Sequence, residues 1–394
     1  MSRRSWLVAC LAVLLVATLI VSCAPAATPA PEPTPPPPAA TPTPPPPEPT
    51  PTAPPPTEEA PCLIVGALYV GPVTDAGFNQ AQHEGLIAMQ ENIPCIETIE
   101  AEHVAESSEA ERVMENMIQQ GAGLIFATSF GHLEPAFGVA ERHPEVIFMH
   151  SGGYLLADNF GTYFSKMPEA LYPMGIAAAK MTKTNKIGYV GAFPIGFTLA
   201  NINAFTLGAQ SVNPDIETHV VFTFSWVDRA KEAGATNALL GEGVDVITMH
   251  VDSPSTIIQT TEAAGAYSIG FQSLATQEYA PEGWITGLAF NWEPVMTETA
   301  QQVLDGTWES QHIRRGIGEE YMVIAPFGPA VPEDVQQLVL EIADDIGSGV
   351  LKAFAGPIVD QDGVVRVAEG EAWPEEAMGD FDWYVQGVIG EPPE

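Results

Sequence analysis

The stretch Gly71-Pro72-Val73-Thr74-Asp75-Ala76-Gly77-Phe78-Asn79 sets a carboxylate, an aromatic ring and an amide close together. It follows an apolar run and precedes a helical pattern, so it sits at a strand's carboxyl end and a helix N-terminus. An aromatic face suits stacking on a planar ligand. An Asn amide both donates and accepts, so it can read the edge of a heterocycle. Spacing alone leaves a second reading open, with Asp75 as a helix cap and Phe78 as core. Thr128-Ser129-Phe130-Gly131-His132 repeats the chemistry with hydroxyls, a ring and a glycine that permits close approach. Further strand-end loops add Phe193 and Phe197, Trp226, His250 with Asp252, and Asn291 with Trp292. Aromatics at five such loops point to a flat apolar ligand held by a few polar groups. About half of these rings are expected to be lobe core instead.

Catalytic signatures do not accompany them. Gly-x-Ser-x-Gly, His-Glu-x-x-His and Gly-x-x-x-x-Gly-Lys are all absent. The eight histidines do not fall at metal-ligand spacing. His250 and Asp252 could form an acid–base pair, but both also fit a ligand pocket. No catalytic residue, metal or cofactor is expected.

The elements that must position these loops alternate. Short apolar runs at 63–70, 96–100, 122–127 and 145–149 predict strands; helical periods fall at 78–91, 107–119 and 132–142. Ser108-Glu109-Ala110-Glu111 reads as a capping box for the second helix. The pattern restarts with a helix at 168–181 and a strand at 186–191. A helix at 199–212, a strand at 217–223, a helix at 227–240, a strand at 244–250, a helix at 254–264 and a strand at 267–271 follow. A strand at 285–290 and helices at 293–304 and 333–346 come last, with a hairpin around Gln361-Asp362-Gly363. This is an α/β chain of two doubly wound lobes joined by a hinge, with a cleft between them. One lobe is expected from 62–165 with about 288–328. The other is expected from 166–287 with about 329–394.

The amino terminus carries a separate message. Arg3 and Arg4 precede an apolar run, Leu7 to Ile20, that ends in Val21-Ser22-Cys23. This has the form of a bacterial lipobox, with residues 1–22 as signal peptide and Cys23 as the lipidated residue. The alternatives are an ordinary signal peptide and an uncleaved anchor, for which the run is short. Residues 24–61 hold 19 of the chain's 37 prolines. With little to bury, this segment should be a disordered, semi-rigid tether, up to ~120 Å long. An extracytoplasmic, lipid-anchored protein is expected. No later segment has the apolar length of a membrane span. Beyond Cys23 there are 12 Lys and Arg against 50 Asp and Glu, so the mature net charge is 12 − 50 = −38. Such a surface repels nucleic acid. Cys62 and Cys95 each open an apolar run; they could form a disulfide in an oxidising compartment or remain as unpaired thiols.

A specific resemblance runs through the soluble part. Tyr69-Val70-Gly71-Pro72, Asp75, Gly77-Phe78-Asn79-Gln80 and Glu84-Gly85 are similar to the basic membrane protein family of ABC-transporter substrate-binding lipoproteins. The likeness continues through Ala127-Thr128-Ser129-Phe130-Gly131, Lys180 to Val190, Asn203 to Ala209, Asp252-Ser253-Pro254, Asp305 to Trp308 and Ala325 to Ala330. It implies a type I periplasmic-binding-protein fold, a purine nucleoside or purine base in the cleft, and delivery to an ABC permease by a monomer. It implies stacking by Phe78, Phe130 and Phe193, polar contacts from Asp75, Asn79, Ser129 and Asp252, and a wall at Trp226. One departure stands out. Nucleoside-binding members carry an aspartate after the strand that here ends in Phe271, and this chain has Gln272. That moves weight from ribose recognition toward a free base. A sensor of the same fold is the alternative. A nucleoside-processing enzyme ranks third, because its aspartate cluster is represented only by Asp75.

Overall fold

The computed structural model describes residues 62–391. The expected signal segment, Cys23 and the tether at 24–61 lie outside the described residues. The first lobe is built on β1 (Leu63–Leu68), β2 (Ile96–Ala101), β3 (Ala122–Ala127), β4 (Ile147–Ser151) and β5 (Phe160–Ser165). Helices α1 (Phe78–Asn92), α2 (Ser108–Gln119) and α3 (Leu133–Arg142) lie between them. The second lobe contains α4 (Met167–Met181), β6 (Lys186–Gly191), α5 (Gly196–Val212), β7 (Glu217–Phe222), α6 (Arg229–Gly241), β8 (Val246–His250), α7 (Ser255–Ala263), β9 (Tyr267–Gly270) and β10 (Trp284–Phe290). Then come α8 (Glu293–Asp305), β11 (His312–Arg315), β12 (Met322–Ile324), α9 (Glu333–Gly347), the short β13 (Ile358–Val359) and β14 (Val365–Val367), and β15 (Val388–Ile389).

Two sheets result. The first runs β11-β5-β4-β3-β1-β2, with every pair parallel. The second runs β12-β10-β9-β8-β6-β7-β15, with β12 antiparallel on its edge. Central strands buried on both faces read as continuous apolar runs, as parallel sheets require. The outer helices carry one apolar stripe, Ala110, Met114 and Met117 on α2 and Val335, Val339, Ala343 and Ile346 on α9, whereas α4 and α5 are buried on most of their faces.

The chain crosses between sheets three times, after β5, after β10 and after β11. The segment expected to return to the first lobe, 288–328, divides between the two. Helix α8 packs on α1, where Asn92 donates to Glu293 at 2.6 Å, and β11 joins the first sheet; β10 and β12 belong to the second. The capping-box expectation also shifts. Ser107, not Ser108, caps α2, its hydroxyl accepting from the Glu109 N–H at 3.3 Å. Extended φ at Ser107 lets its side chain turn back over the first turn. The strand β5 and the short β11, β12 and β15 were not foreseen.

Cys62 and Cys95 form a disulfide at the starts of β1 and β2, with Cα atoms 5.4 Å apart and Cys62 N–H donating to Cys95 O at 3.0 Å. The closed loop spans a sequence separation of 33 residues. Loop-closure entropy then assigns the bond about 3–4 kcal/mol. A Cys62→Ser, Cys95→Ser double variant should lose that much in urea unfolding. An unchanged midpoint would mean the thiols are not paired in the protein.

Candidate functional site

The carboxyl ends of both sheets converge on one interface. From the first lobe come Phe78 at the start of α1, Ser129 and Phe130 after β3, Ser151 and Gly152 at the end of β4, and Phe164 on β5. From the second come Phe197 in the first turn of α5, Trp226 after β7, His250 ending β8, Asp252, Gln272 after β9 and Phe290 ending β10. They enclose a cavity of about 30 Å³. That is room for about one water, so the lobes are shut on each other. A main-chain bond spans the closure: Phe78 N–H donates to Asp252 O at 3.2 Å.

The walls are aromatic and interlocked. Phe290 stacks on Trp292 at 4.7 Å and meets Phe78 edge-on at 5.7 Å. Phe164 and Phe197 meet across the lobes at 5.6 Å, and Trp226 lies 5.6 Å from His250. Behind the rings, Tyr163 OH donates to Gln82 Oε1 at 2.7 Å, and Gln82 Nε2 donates to Ser151 Oγ at 3.2 Å. Ser129 Oγ donates to Glu106 at 2.6 Å, which also takes the Gly131 N–H. These bonds fix the loops that carry the wall.

Few polar groups face the cavity, and their state follows from burial. The Asp252 carboxyl is held well above the usual carboxylate range by burial, with the charges of Asp75 and Glu106 adding and the Gln272 amide opposing. Burial pushes His250 down to about 3, so its ring is neutral. Gln272 Oε1 has no hydrogen-bond partner, and the residue stands at φ 77°. A left-handed backbone is costly for a residue with a Cβ, and such strain concentrates at ligand clamps. The structure thus presents a protonation-prone acid and an unsatisfied amide oxygen side by side.

A raised carboxyl pKa fixes a sign. Asp252 stabilises the closed protein fully below its unfolded value of about 4, and that contribution is lost as pH rises through the elevated folded value. Without ligand, Asp252→Asn should raise the melting temperature relative to the parent at pH 8 and flatten the difference between pH 4 and pH 8. Parallel melting curves for the two proteins across that range would refute the burial of a free acid here.

Of the residues expected from sequence, Phe78, Ser129, Phe130, Trp226, Asp252 and Gln272 line the cavity. Asp75, Asn79 and Phe193 do not. Asp75 is consumed at the start of α1, accepting from the N–H groups of Gly77, Asn79 and Gln80 at 2.8, 3.2 and 3.0 Å and from Asn79 Nδ2 at 2.7 Å. The cap is therefore the reading its geometry supports. Asn79 spends its oxygen on the Gly71 N–H at 3.3 Å. Phe193 packs behind Trp226, ring centres 5.3 Å apart. Phe164, Phe290 and Ser151 line the cavity without having been expected there; Phe197 and His250 stand on loops expected to face the cleft, though no ligand contact was assigned to them. Phe290 was within reach, since it stands at an expected strand end. Among the described residues no cluster of three or more His, Cys, Asp or Glu could hold a metal, and no helix is long and apolar enough to cross a membrane.

A second, larger cavity of about 1080 Å³ adjoins the first and shares Phe130, Gly152, Phe164 and Phe197 with it. Residues near the interlobe crossings and the carboxyl-terminal segment complete its wall, among them Lys166, Arg314 and Trp373.

Comparison with known proteins gives this architecture a lineage. Residues 63–350 match the family described as ABC transporter substrate-binding protein PnrA-like. A purine-binding protein of Brucella abortus is 39% identical over 336 residues, 84% of this chain and 94% of that protein. A Haloferax volcanii ABC-transporter binding protein, named provisionally for glucose, is 32% identical over 83% of this chain and 80% of its own. Among solved structures, an ABC-transporter solute-binding protein from Aeropyrum pernix superposes with a TM-score of 0.64 at 20% identity, covering 75% of this chain and 94% of that one. One from Conexibacter woesei gives 0.63 at 21% identity, covering 74% and 98%. These two show the fold, two α/β lobes of the periplasmic-binding-protein type. With the family matched across most of the described chain, the protein belongs to the PnrA-like, or basic membrane protein, family of ABC-transporter substrate-binding proteins.

Proposed function

We propose that the protein is a lipid-anchored receptor that captures a purine base, free or as its nucleoside, between its lobes and hands it to an ABC permease for import. The observation that carries this reading is the aromatic enclosure: rings from both lobes around one space, shut to about 30 Å³ here and entered by a base when the lobes part, with Asp252 and Gln272 as its polar pair. Flat faces match a fused heterocycle. A purine's N–H group matches the Gln272 amide oxygen, which lacks a donor, and the Asp252 carboxyl beside it can pair with a second edge atom of the base. The Brucella relative supports the same ligand class. Gln272, in place of an acid, favours the base over the ribose as the recognised part. The arrangement offers enclosure and hydrogen bonds and no activated nucleophile, which supports binding over turnover.

Cys23 and the tether complete the proposal. A lipidated Cys23 would hold the receptor at the outer membrane face, and more than one acyl chain is needed for stable anchoring. The 24–61 segment would let the lobes work away from that face. Mass spectrometry of the membrane-bound protein checks the anchor, with acyl mass on the peptide beginning at Cys23.

The ligand is tested by what the protein carries. Purified protein is denatured and its released small molecules are identified. A purine approaching one per chain supports the proposal. A sugar in its place, as the Haloferax name would have it, would overturn the ligand class while leaving the receptor role.

A further inference from the structure

The interlobe region contains a charge without a partner. Six arginines fall among the described residues. Arg112, Arg142, Arg315 and Arg366 each pair with a carboxylate, and Arg229 is exposed. Arg314 is half-buried, lines the larger cavity, and has no carboxylate within ion-pair distance among the described residues. Its guanidinium bonds only to neutral oxygens: Gly153 O at 2.8 Å, Ile313 O at 3.1 Å and Thr162 Oγ1 at 3.4 Å. Of its five N–H donors, these contacts leave some unused. In a chain with 50 acidic residues an unpaired arginine in the cleft is conspicuous. Buried charges are ordinarily paired, since desolvation is otherwise uncompensated. Burial lowers its pKa, and no nearby carboxylate opposes the shift.

Its position ties it to the purine cavity. Arg314 is the register partner of Phe164 on the neighbouring strand, so the two side chains rise from the same face of the sheet. Phe164 is wall to both cavities, and Gly153, which takes the guanidinium bond, follows Gly152, which also lines both. A group leaving the aromatic cavity past Phe164 therefore enters the space that Arg314 lines. Glu169, Glu319, Glu375 and Glu376 line the same cavity, with Lys352 and with Lys166, which is paired to Glu375 at 2.6 Å, so an acidic arm gains only where it reaches the guanidinium itself. Repulsion from the more distant acidic surface is screened beyond about 8 Å at physiological salt.

We propose that Arg314 is the anchor for an acidic arm on the ligand, a carboxylate or phosphate, so that the cargo is a purine bearing a negative substituent. This rests on the purine reading above. A guanidinium pairs with either group bidentately.

Titration calorimetry of the full chain with adenine, adenosine, adenin-9-yl acetate and adenosine 5′-monophosphate, at low and high salt, tests it. The acidic compounds should bind roughly 10- to 100-fold tighter than their neutral parents, with the advantage shrinking as salt rises. The acetate and the phosphate separate the two sources of charge. Arg314→Gln should weaken the acidic ligands at least ~10-fold more than adenine, and Arg314→Lys should retain part of the preference. If adenine binds and the acidic compounds bind no tighter, the arm is refuted while the receptor stands. An advantage that survives intact in Arg314→Gln refutes Arg314 as the anchor. Failure of all four to bind overturns this inference, and the purine reading falls with it if guanosine and inosine also give no heat. The wild-type comparison needs no variant to fold.

Discussion

Gly77→Ala should weaken ligand binding by roughly 10- to 100-fold while leaving the fold's stability nearly unchanged. Gly77 stands where the lobes meet. A Cβ there would overlap the carbonyl oxygen of Asp252 and come within 2.7 Å of Pro254 Cδ, both on the opposite lobe. The carbonyl is backbone and cannot rotate aside. It is also the acceptor for the Phe78 N–H, the main-chain bond that spans the closed interface. Overpacking of this kind costs about 1–3 kcal/mol, which as lost closure is the stated range in dissociation constant. Hinge opening relieves the clash, so urea unfolding should barely change. Small-angle scattering with saturating ligand should report a more open particle than the parent. Unchanged affinity would mean that the closed contact between Gly77 and Asp252 is not part of the bound state.

Phe290→Ala should cost about 3–5 kcal/mol of stability and abolish tight binding together. Phe290 is 6% exposed at the end of β10, just before the chain crosses to the first lobe. Its ring touches Phe78 at 5.7 Å, Phe164 at 6.1 Å, Phe271 at 6.0 Å and Trp292 at 4.7 Å. Truncation leaves a void bounded by four rigid rings, which cannot collapse readily. The effect on binding follows because Phe78 and Phe164 lose the ring that separates and braces them. Phe290→Leu, which keeps most of the volume, should recover more than half of the stability. A loss under about 1 kcal/mol for Phe290→Ala in urea unfolding would show that the aromatic cluster is looser than its distances imply.

Both residues show where the sequence was legible. The β6 strand falls at 186–191 as its apolar run predicts, and α9 ends within a residue of expectation. Those runs are long, local and bounded by turn residues. Strand β5 escaped because Phe160-Gly161-Thr162-Tyr163-Phe164-Ser165 has no clear alternation, and its partner β11 is donated from about 150 residues away. With β5 and β11 unseen, Phe164 and Arg314 could not be placed at the site. Strand-end residues on well-marked strands, such as Trp226, Asp252 and Gln272, were reachable by topology alone. Asp75 and Asn79 were not separable from true cavity residues. Whether a carboxylate faces a ligand or its own helix N-terminus depends on backbone angles that residue type does not disclose.

The most direct test of the receptor account is calorimetric titration of the full chain with adenine, adenosine, guanosine and inosine. The account predicts saturable heat with at least one of them, one site per chain, and a negative heat-capacity change from burial of the aromatic walls against the base. No heat with any purine, or turnover of the nucleosides in the cell, would contradict it.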